Sequence, residues 1–502
     1  MSVSNKKITV TVNGNAVSAL AGATLSEIIK GEKPCGGHGK CGKCKVVAMG
    51  ALSDVSDAER EHLTEEELAC GVRLACLTVA LGDCLVLDVS DNRKAQIMTD
   101  GVLAEFEAAP SFSNYGVALD IGTTTIAAQL YDKEGNSLSK AACLNPQSEW
   151  GADVISRIEA ALDGKAQLLA ESVRKAIDSI ISELAASAGI DKKLIGEAVI
   201  TGNTVMLCLL TGESVEPLSH APFEAKRLFG ENIVASELGL SSLAPYVSVY
   251  LPSCIAAFVG ADTSCAIIAS GLCGQKSTLL ADIGTNGEMA VWNKNELLVC
   301  STAAGPAFEG VGISMGMRGA VGAIDKVSVV NGRLFAHVIG ENEPKGICGS
   351  GLVDAVACML DTEELDETGF LEDEPYIVSG SVELTQNDIR MVQLAKSAIC
   401  AGILTLAETG GISLSDIEEA YIAGGFGNYL NTANAEKIGL LPSGTASKTK
   451  AVGNAALGGA SMLLLAPKLR AECEALSKNA KVVELSTNKI FSDRYIEGMF
   501  FG

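Results

Sequence analysis

The chain is short of positive charge. Of its 502 residues, 38 are Lys or Arg and 61 are Asp or Glu, so the formal net charge is −23 at pH 7. Nucleic acids and anionic lipid surfaces are bound through clustered Lys and Arg side chains, so this balance argues against both as partners. Basic protein surfaces and small molecules are the partners that it favours.

Long apolar runs are also missing from the sequence. No stretch reaches the ~18 consecutive apolar residues that predict a membrane-spanning helix. The first residues, Met-Ser-Val-Ser-Asn-Lys-Lys-Ile, contain no apolar signal core. We therefore expect a cytoplasmic protein with no membrane part. In that compartment the 16 cysteines are not expected to form a disulfide framework, and those scattered beyond the first ninety residues are expected to be buried apolar residues.

Several common catalytic and nucleotide motifs are incomplete. The chain has only four histidines, and no Ser-His-Asp arrangement suggests itself. The stretch Gly271-Leu-Cys-Gly-Gln-Lys-Ser resembles a Walker A loop, but Gln275 stands where that motif requires glycine. Gly310-Val-Gly312 lacks the further glycine of a dinucleotide fingerprint. The sequence therefore does not predict a P-loop or a dinucleotide-binding fold.

Cysteine and glycine are instead concentrated in one loop, which reads Cys35-Gly-Gly-His-Gly-Lys-Cys41-Gly-Lys-Cys44. A fourth candidate, Cys76, follows in Arg-Leu-Ala-Cys. Thiolates bind iron, and an Fe–S cluster needs four of them. The glycines can adopt φ > 0 and turn backbone N–H groups toward the sulfurs. The spacing predicts an Fe–S cluster rather than a structural zinc site. Cys70 and Cys84 are rival fourth ligands, and His38 is interpreted as a solvated loop residue.

The elements around this loop carry a first family resemblance. Residues 7–13 alternate as a strand does, Asn13-Gly14 is a hairpin-turn signal, Thr24 and Glu27 form a capping-box pattern, and further strands are predicted from Lys45 and from Cys84. This order resembles the β-grasp ferredoxins that carry a [2Fe–2S] cluster. The resemblance favours Cys76 as the fourth ligand. It implies an α+β ferredoxin domain over 1–90 whose metal ligands are Cys35, Cys41, Cys44 and Cys76.

Beyond residue 115 the sequence repeats itself. Asp-Ile-Gly-Thr occurs after a predicted strand at Asp120 and again at Asp282, each time leading into a second strand. A third glycine-rich turn, Gly424-Gly-Phe-Gly-Asn, follows a predicted helix over 386–409. Another helix is predicted over 166–187, ended by Gly189, and an amphipathic segment over about 451–466. Turns of glycine and threonine offer N–H groups and hydroxyls to an anion, so a phosphate ligand is predicted.

The paired turns resemble those of the actin-like ATPase superfamily. That resemblance implies an α/β ATPase of two RNase H-like units, over 115–275 and 276–502, after a linker over 91–114 with one short helix. It implies ATP as the ligand. An aspartate at the end of each leading strand, Asp120 or Asp282, can hold Mg²⁺ through water. Glu288 directly follows the second turn and is a candidate to activate water, with a solvated strand residue as the alternative. The residues predicted to bind ATP are Gly122, Thr123, Thr124, Gly284, Thr285, Asn286, Gly424, Gly425, Gly427 and Asn428.

For further residues the sequence leaves open whether they bind a ligand in the cleft or have a structural role. Asp262 could orient water or magnesium, or it could be a buried capping residue. The segment Gly346–Gly351 could be a hinge or could contact the ligand. Asn203, Thr204, Arg318 and the stretch Gly305–Gly310, which contains Glu309, are the other candidates to line the cleft.

A ferredoxin domain ahead of an actin-like ATPase resembles the reductive activators of corrinoid proteins. The match includes Gly151-Ala-Asp-Val-Ile-Ser-Arg157, Thr201-Gly-Asn-Thr and Gly346-Ile-Cys-Gly-Ser-Gly-Leu. The resemblance implies ATP-dependent transfer of one electron from the [2Fe–2S] cluster to Co(II), giving Co(I) in a corrinoid methyl carrier. It implies an external low-potential electron donor, and a homodimer is one possible assembly. Two alternatives stay open at this point: an ATP-gated scaffold or chaperone-like module, and a small-molecule kinase with a fused redox sensor.

Overall fold

The computed structural model describes residues 6–12, 15–29, 36–40, 42, 44–64, 67–68, 71–87, 104–330, 333–340 and 343–502. Cys35, Cys41, Cys70 and the Asn13-Gly14 turn lie outside these residues. The described strands form three larger sheets and two small ones.

The N-terminal sheet has five strands in the order β2-β1-β5-β3-β4. Its strands are β1 Lys7–Val12, β2 Asn15–Leu20, β3 Lys45–Leu52, β4 Val72–Leu74 and β5 Ala80–Leu87, with short helices Leu25–Ile29 and Asp57–Arg60. Strand β1 runs antiparallel to β2 and parallel to β5. Its alternating pattern turns Ile8 and Val10 inward, where they pack with Leu25.

The predicted strands and the predicted capping box of the N-terminal sheet region are confirmed. The predicted strands from 7, 45 and 84 correspond to β1, β3 and the latter half of β5. The backbone N–H of Thr24 donates to Glu27 Oε2 at 2.8 Å, and the N–H of Glu27 donates to Thr24 Oγ1 at 3.4 Å, so the capping box is present.

The second sheet has six strands in the order β10-β11-β9-β6-β7-β8. Its strands are β6 Tyr115–Ile121, β7 Thr125–Asp132, β8 Ser137–Leu144, β9 Ile195–Gly202, β10 Glu231–Val234 and β11 Ser248–Leu251. Strands β6, β7 and β8 are antiparallel neighbours. On the other side of β6, strand β9 pairs parallel to β6, and β11 pairs parallel to β9. The helices of this part are Val154–Ala160, Ala166–Ala188, Thr204–Thr211 and Ala261–Ser270.

The third sheet repeats this plan in the order β21-β20-β12-β13-β14-β22. Its strands are β12 Thr278–Ile283, β13 Gly287–Trp292, β14 Leu297–Thr302, β20 Glu419–Ala423, β21 Thr449–Gly453 and β22 Lys481–Val482. Strands β12 to β14 are antiparallel, and β20 and β21 add in parallel. The duplication read from the two Asp-Ile-Gly-Thr stretches is therefore a duplication of sheet topology.

Smaller elements complete this half of the chain. A three-stranded sheet consists of β15 Ala323–Val330, β16 Arg333–Val338 and β17 Gly346–Ile347, and a hairpin of β18 Tyr376–Ser379 and β19 Val382–Leu384. The helices are Gly349–Asp361, Gln386–Thr409, Thr432–Lys437, Ala455–Leu465, Leu469–Asn479 and Lys489–Glu497.

The two long predicted helices are confirmed. Helix Ala166–Ala188 buries a stripe that includes Leu169, Val173 and Ile177, and it ends at Gly189, whose φ of 67° is left-handed. Helix Gln386–Thr409 begins with the capping pair Thr385 and Asp388. It is the one helix among the described residues long and apolar enough to cross a membrane, and 72% of its apolar window is buried inside the protein, as in a core helix.

The prediction of an amphipathic segment over 451–466 is wrong. Its first residues belong to β21, and helix Ala455–Leu465 is buried on all sides. This helix packs between helix Ala261–Ser270 and strands of the second sheet, so it has no solvent face. The contact is close: a Cβ added to Gly459 would lie 2.0 Å from the carbonyl oxygen of Cys265. A helix from the last part of the chain thus completes the core around the second sheet.

The described part of the predicted linker contains no helix. Residues 104–114 run without regular structure over the surface of the later units, and the Ala104 N–H donates to the Ala269 carbonyl oxygen at 2.7 Å. The N–H of Ala109 donates to the carbonyl oxygen of Leu465 at 2.8 Å, and Phe112 is buried. The segment is therefore held against helices from both halves of the chain.

Candidate functional site

A cavity of about 560 Å³ lies between the second and third sheets, lined by residues of both. Two hairpin turns line this cavity. The turn between β6 and β7 carries Gly122-Thr-Thr, and the turn between β12 and β13 carries Gly284-Thr-Asn. The first turn is closed by the Gly122 N–H donating to the Thr125 carbonyl oxygen at 2.9 Å, the second by the Gly284 N–H donating to the Asn286 carbonyl oxygen at 3.1 Å. Equivalent hairpins of the duplicated units thus face one cavity.

Buried polar side chains hold the first turn, Gly122-Thr-Thr, in place through hydrogen bonds. Asn145 donates through its side-chain amide to the Gly122 carbonyl oxygen at 2.8 Å, and the fully buried Arg157 donates to the carbonyl oxygens of Thr123 and Gly151. Asn203 donates to Thr123 Oγ1 at 3.2 Å and also caps helix Thr204–Thr211. The Arg157 guanidinium therefore serves as an internal support for this turn.

A glutamate connects the two turns across the cleft. Thr124 Oγ1 donates to Glu309 Oε2 at 3.2 Å, and Thr285 Oγ1 donates to Glu309 Oε1 at 3.0 Å. One carboxylate thus holds a hydroxyl from each half of the duplication.

Besides Glu309 and Asp325, four acidic side chains line the same cavity: Asp120, Asp262, Asp282 and Glu288. Burial, aided by Asp262 and Asp282, raises the pKa of Asp120 to about 8, although Asn454 donates to its carboxylate at 3.1 Å. Burial and the charges of Asp262 and Glu309 raise the pKa of Asp282 to about 7. Burial, with Asp262 and Asp282, raises the pKa of Glu288 well above its usual range. A bound cation would reduce the repulsion between closely spaced carboxylates of this kind.

This acidic set fits Mg²⁺ held through water better than Mg²⁺ held directly. Within the described ranges, no three His, Cys, Asp or Glu side chains come close enough together to enclose a metal ion by themselves. Mg²⁺ commonly keeps several waters and takes its remaining ligands from one or two carboxylates and substrate phosphates. The carboxylates beside two phosphate-type turns match that pattern.

The third predicted turn forms one wall of the cavity. Gly424, Gly425, Phe426 and Tyr429 face it, and a Cβ on Gly425 would meet nothing within 4 Å. Gly424 has a φ of 90°, and a Cβ there would lie 2.9 Å from Asp282 Oδ1. Gly427 does not line the cavity but packs on Ile422, and Asn428 lies in the turn Gly427–Tyr429. The flat, open part of this wall is therefore the Gly424-Gly-Phe backbone.

The structure also brings to the cavity residues that the sequence left open or missed. Cys348, Gly349 and Ser350 of the Gly346–Gly351 segment line it at the start of helix Gly349–Asp361, as do Asp262, Glu309 and Arg318. Thr204 is buried and does not line it. Asn454 and the pair Asp325–His337, whose Oδ1 and Nδ1 are 2.5 Å apart, were not predicted. Nothing in the sequence pattern around Asn454, which was predicted to lie inside an amphipathic segment, signalled its role.

Two of the four predicted cluster cysteines lie in the described part of the chain, and they are adjacent. Cys44 Sγ and Cys76 Sγ are 3.2 Å apart, and the Cys76 N–H points to Cys44 Sγ at 3.4 Å. Hydrogen bonding from Cys76, against the effect of burial, lowers the pKa of Cys44 to about 7. Gly36, Gly37, Gly39 and Gly42 all have positive φ. A sulfur pair beside a glycine-rich loop fits half of the four-ligand set of an Fe–S cluster.

The rival ligand Cys84 has a different environment. It lies in β5 and packs into the hydrophobic core of the N-terminal sheet, and burial raises its pKa. The structure thus brings Cys76, and not Cys84, into contact with Cys44.

The cleft, its two turns and its third wall define the class of protein, and comparison with known families agrees. The family model described as the C-terminal domain of RACo, the ASKHA domain, matches residues 276–502, and the RACo middle region matches 115–275. The chain contains an actin-like ATPase domain.

Comparison with individual proteins narrows the class to a family. The corrinoid activation enzyme RamQ of Eubacterium limosum is 36% identical over 419 residues, which cover 77% of this chain and 70% of that protein. The [Co(II) methylated amine-specific corrinoid protein] reductase of Methanosarcina barkeri is 27% identical over 415 residues, 76% of each chain. The chain belongs to the family of reductive activators of corrinoid proteins.

A solved structure supports the same assignment. The reductive activator for corrinoid, iron-sulfur protein superposes with a TM-score of 0.72 at 29% identity, covering 98% of both chains. In addition, an 80-residue stretch, 15% of the chain, is 38% identical to a component of the Na(+)-translocating NADH-quinone reductase of Neisseria meningitidis, of which it covers 20%.

Proposed function

We propose that this protein is an ATP-hydrolysing iron–sulfur oxidoreductase that reductively activates the corrinoid protein of a methyl-transfer system. The observation that carries the proposal is the presence, in one chain of the activator family, of the Cys44–Cys76 sulfur pair and of a cleft with two facing Gly-Thr turns. The first suits electron transfer and the second suits a nucleotide.

The proposed electron-transfer domain is a β-grasp ferredoxin over 1–90. Its ligands to a [2Fe–2S] cluster are Cys35, Cys41, Cys44 and Cys76. Such a cluster, when bound, supplies one-electron transfer at a potential near about −400 mV. The chain's own contribution is the glycine loop, whose positive-φ residues allow backbone N–H groups to face the sulfurs, and the sulfur separation of 3.2 Å between Cys44 and Cys76.

The proposed ATPase consists of two RNase H-like units, over 115–275 and 276–502, joined to the ferredoxin by the linker 91–114. The Gly122-Thr-Thr and Gly284-Thr-Asn turns bind the phosphates, and the Gly424-Gly-Phe backbone faces adenosine. Asp120 and Asp282 are the proposed holders of Mg²⁺ through water. Glu288 is proposed to activate water. Burial and the charges of Asp262 and Asp282 raise the pKa of this carboxyl well above its usual range, and a nearby cation would oppose that shift.

In the proposed reaction, one electron passes to corrinoid cobalt, which changes from Co(II) to Co(I), and an external low-potential donor supplies that electron. ATP and water become ADP and phosphate in the same cycle. Each 100 mV of uphill transfer costs about 2.3 kcal/mol. Nucleotide can offset this cost only if its bound states differ in affinity for the corrinoid protein or for its cobalt coordination.

A continuous set of contacts supports communication between the cleft and the cysteine loop. The Asn145 N–H donates to the Thr124 carbonyl oxygen at 2.8 Å, and residues 146–151 follow directly. A Cβ placed on Gly36 would lie 3.4 Å from the carbonyl oxygen of Trp150. The described residue Gly36 of this loop therefore lies close to the segment that supports the first Gly-Thr turn.

The decisive experiment mixes the reduced full-length protein, MgATP and a Co(II) corrinoid protein without oxygen, and follows the Co(I) absorbance. We expect Co(I) to form with MgATP and to form far more slowly with ADP or without nucleotide. Full Co(I) formation without nucleotide would contradict the coupling. Phosphorylation of a metabolite without any corrinoid protein would support a kinase, and unchanged activity of Cys44→Ser would support a scaffold. A homodimer remains a prediction, to be measured by light scattering.

A further inference from the structure

Glu309 has a position that neither the sequence motifs nor the proposed reaction explains. It is the last residue of the short helical turn Ala307–Glu309 and reaches into the cleft between the two Gly-Thr turns. Each of its two carboxylate oxygens accepts one threonine hydroxyl, from Thr124 at 3.2 Å and from Thr285 at 3.0 Å.

These contacts place negative charge at the phosphate turns themselves. A Cβ added to Gly284 would lie 3.4 Å from Glu309 Oε1, so the carboxylate lies directly over the second turn. The charge of Glu309 also contributes to the raised pKa of Asp282. A phosphate group bound by the same two threonines would meet this carboxylate at close range, and two like charges there repel each other.

We propose that Glu309 acts as an internal substitute for phosphate. Its carboxylate holds Thr124 and Thr285 together while no nucleotide is bound, and the phosphates of ATP must displace it to reach the same hydroxyls. The inference rests on the nucleotide-binding part of the proposed function and is independent of corrinoid reduction.

The loop that carries Glu309 contacts three further parts of the cleft. The Gly305 N–H donates to the Thr285 carbonyl oxygen at 3.0 Å, and the Phe308 ring stacks on Phe426 of the third turn with centroids 5.0 Å apart. A Cβ on Gly349 would lie 2.1 Å from the carbonyl oxygen of Phe308. Displacement of Glu309 by phosphate therefore acts on a loop that contacts the second turn, the third turn and helix Gly349–Asp361.

The test compares nucleotide binding by the full-length wild type and Glu309→Gln, using calorimetry with adenosine, ADP and a non-hydrolysable ATP analogue in the presence of Mg²⁺. Glutamine keeps the size of the side chain and removes its charge. We expect ADP and the ATP analogue to bind roughly tenfold more tightly to the variant, because the repulsion between carboxylate and phosphate is removed and the uncharged amide holds the two threonine hydroxyls more weakly. Adenosine, which has no phosphate, is expected to bind both proteins equally.

Other outcomes overturn the inference. Unchanged or weaker binding of ADP and the ATP analogue by Glu309→Gln would show that the carboxylate does not compete with phosphate. An equal gain for adenosine would show that the side chain acts on general cleft closure. Glu309→Ala provides a second variant for which tighter phosphate-dependent binding is expected. If the wild type binds no nucleotide, the proposed function itself fails, whereas normal wild-type binding without a gain in the variants overturns only the role of Glu309.

Discussion

The side-chain amide of Asn454 donates to Asp120 Oδ2 at 3.1 Å, across 334 residues of sequence. The side-chain oxygen Oδ1 of Asn454 accepts from the Leu457 N–H at 2.8 Å and so caps helix Ala455–Leu465. One residue therefore starts the buried helix that joins the two halves and orients the aspartate beside the first Gly-Thr turn.

The two roles of Asn454 can be separated by two substitutions. Asn454→Ala loses both the cap and the donor to Asp120, so we expect about 1–2 kcal/mol of lost stability together with weaker MgATP binding. Asn454→Asp keeps an oxygen for the cap but places a second carboxylate against Asp120. We expect the aspartate variant to retain most of its thermal stability and to bind MgATP differently from the wild type, as measured by melting curves and calorimetry. If both variants lost stability equally, the cap would not be a separate function.

Glu59 and Arg73 form a buried ion pair in the N-terminal unit, and Arg73 lies three residues before Cys76. The Arg73 Nε donates to Glu59 Oε1 at 2.9 Å, and Thr78 Oγ1 and the Leu74 N–H donate to the same oxygen. Because breaking such a pair leaves a charge buried, Glu59→Gln is expected to cost about 3–5 kcal/mol. Hydrogen exchange in β4 and β5 measures it. Glu67→Gln is the matched control, since its pair with the exposed Lys45 is expected to contribute at most about 1 kcal/mol.

The same pair predicts a dependence on pH. Burial alone would raise the pKa of Glu59, but the Arg73 guanidinium and the other donors outweigh it and lower the pKa to about 2. The pKa is lower in the folded state, so the stabilisation is present above about pH 4.5, the ordinary range of a glutamate, and is lost as the pH falls toward 2. We expect amides of β4 and β5 to lose protection in that window in the wild type. In Glu59→Gln this part of the pH dependence should be absent.

The choice between Cys76 and Cys84 as a cluster ligand is open to a direct comparison. Cys76→Ser removes the sulfur 3.2 Å from Cys44 Sγ, so we expect loss or strong alteration of the visible absorbance of the Fe–S cluster. Cys84→Ser changes a thiol in the hydrophobic core, so we expect lower stability with the absorbance retained. Both proteins would be purified without oxygen and their iron content measured. An intact spectrum in Cys76→Ser with a lost one in Cys84→Ser would reverse the assignment.

Two glycine substitutions in the ATPase are expected to separate an effect on core packing from an effect on nucleotide binding. Gly459→Ala would place a Cβ 2.0 Å from the Cys265 carbonyl oxygen, and relief of that contact is expected to cost at least about 1–3 kcal/mol despite the higher helix propensity of alanine. Gly425→Ala places a Cβ where nothing lies within 4 Å, in the wall proposed to face adenosine. We expect the second variant to melt like the wild type and to bind adenosine more weakly. Equal adenosine binding would place the nucleoside elsewhere.

Local periodicity was enough for much of the fold. The faces of helices Ala166–Ala188 and Gln386–Thr409, with Gly189 and Thr385 at their ends, follow from side-chain spacing and backbone preferences within a few turns. The repeated Asp-Ile-Gly-Thr stretch predicted a duplicated strand–turn–strand unit for the same reason, since each copy is a local element.

The relationships across the cleft required the tertiary structure. Helix Ala455–Leu465 is apolar on all sides because it lies between two layers, and nothing in its own spacing shows which layers they are. Asn454 reaches Asp120 across 334 residues of sequence, and Glu309 reaches Thr124 across 185, so no local pattern encodes either contact. By itself, the sequence determined which residues are able to bind phosphate and metal; the packing of the two units decided which of them face one another.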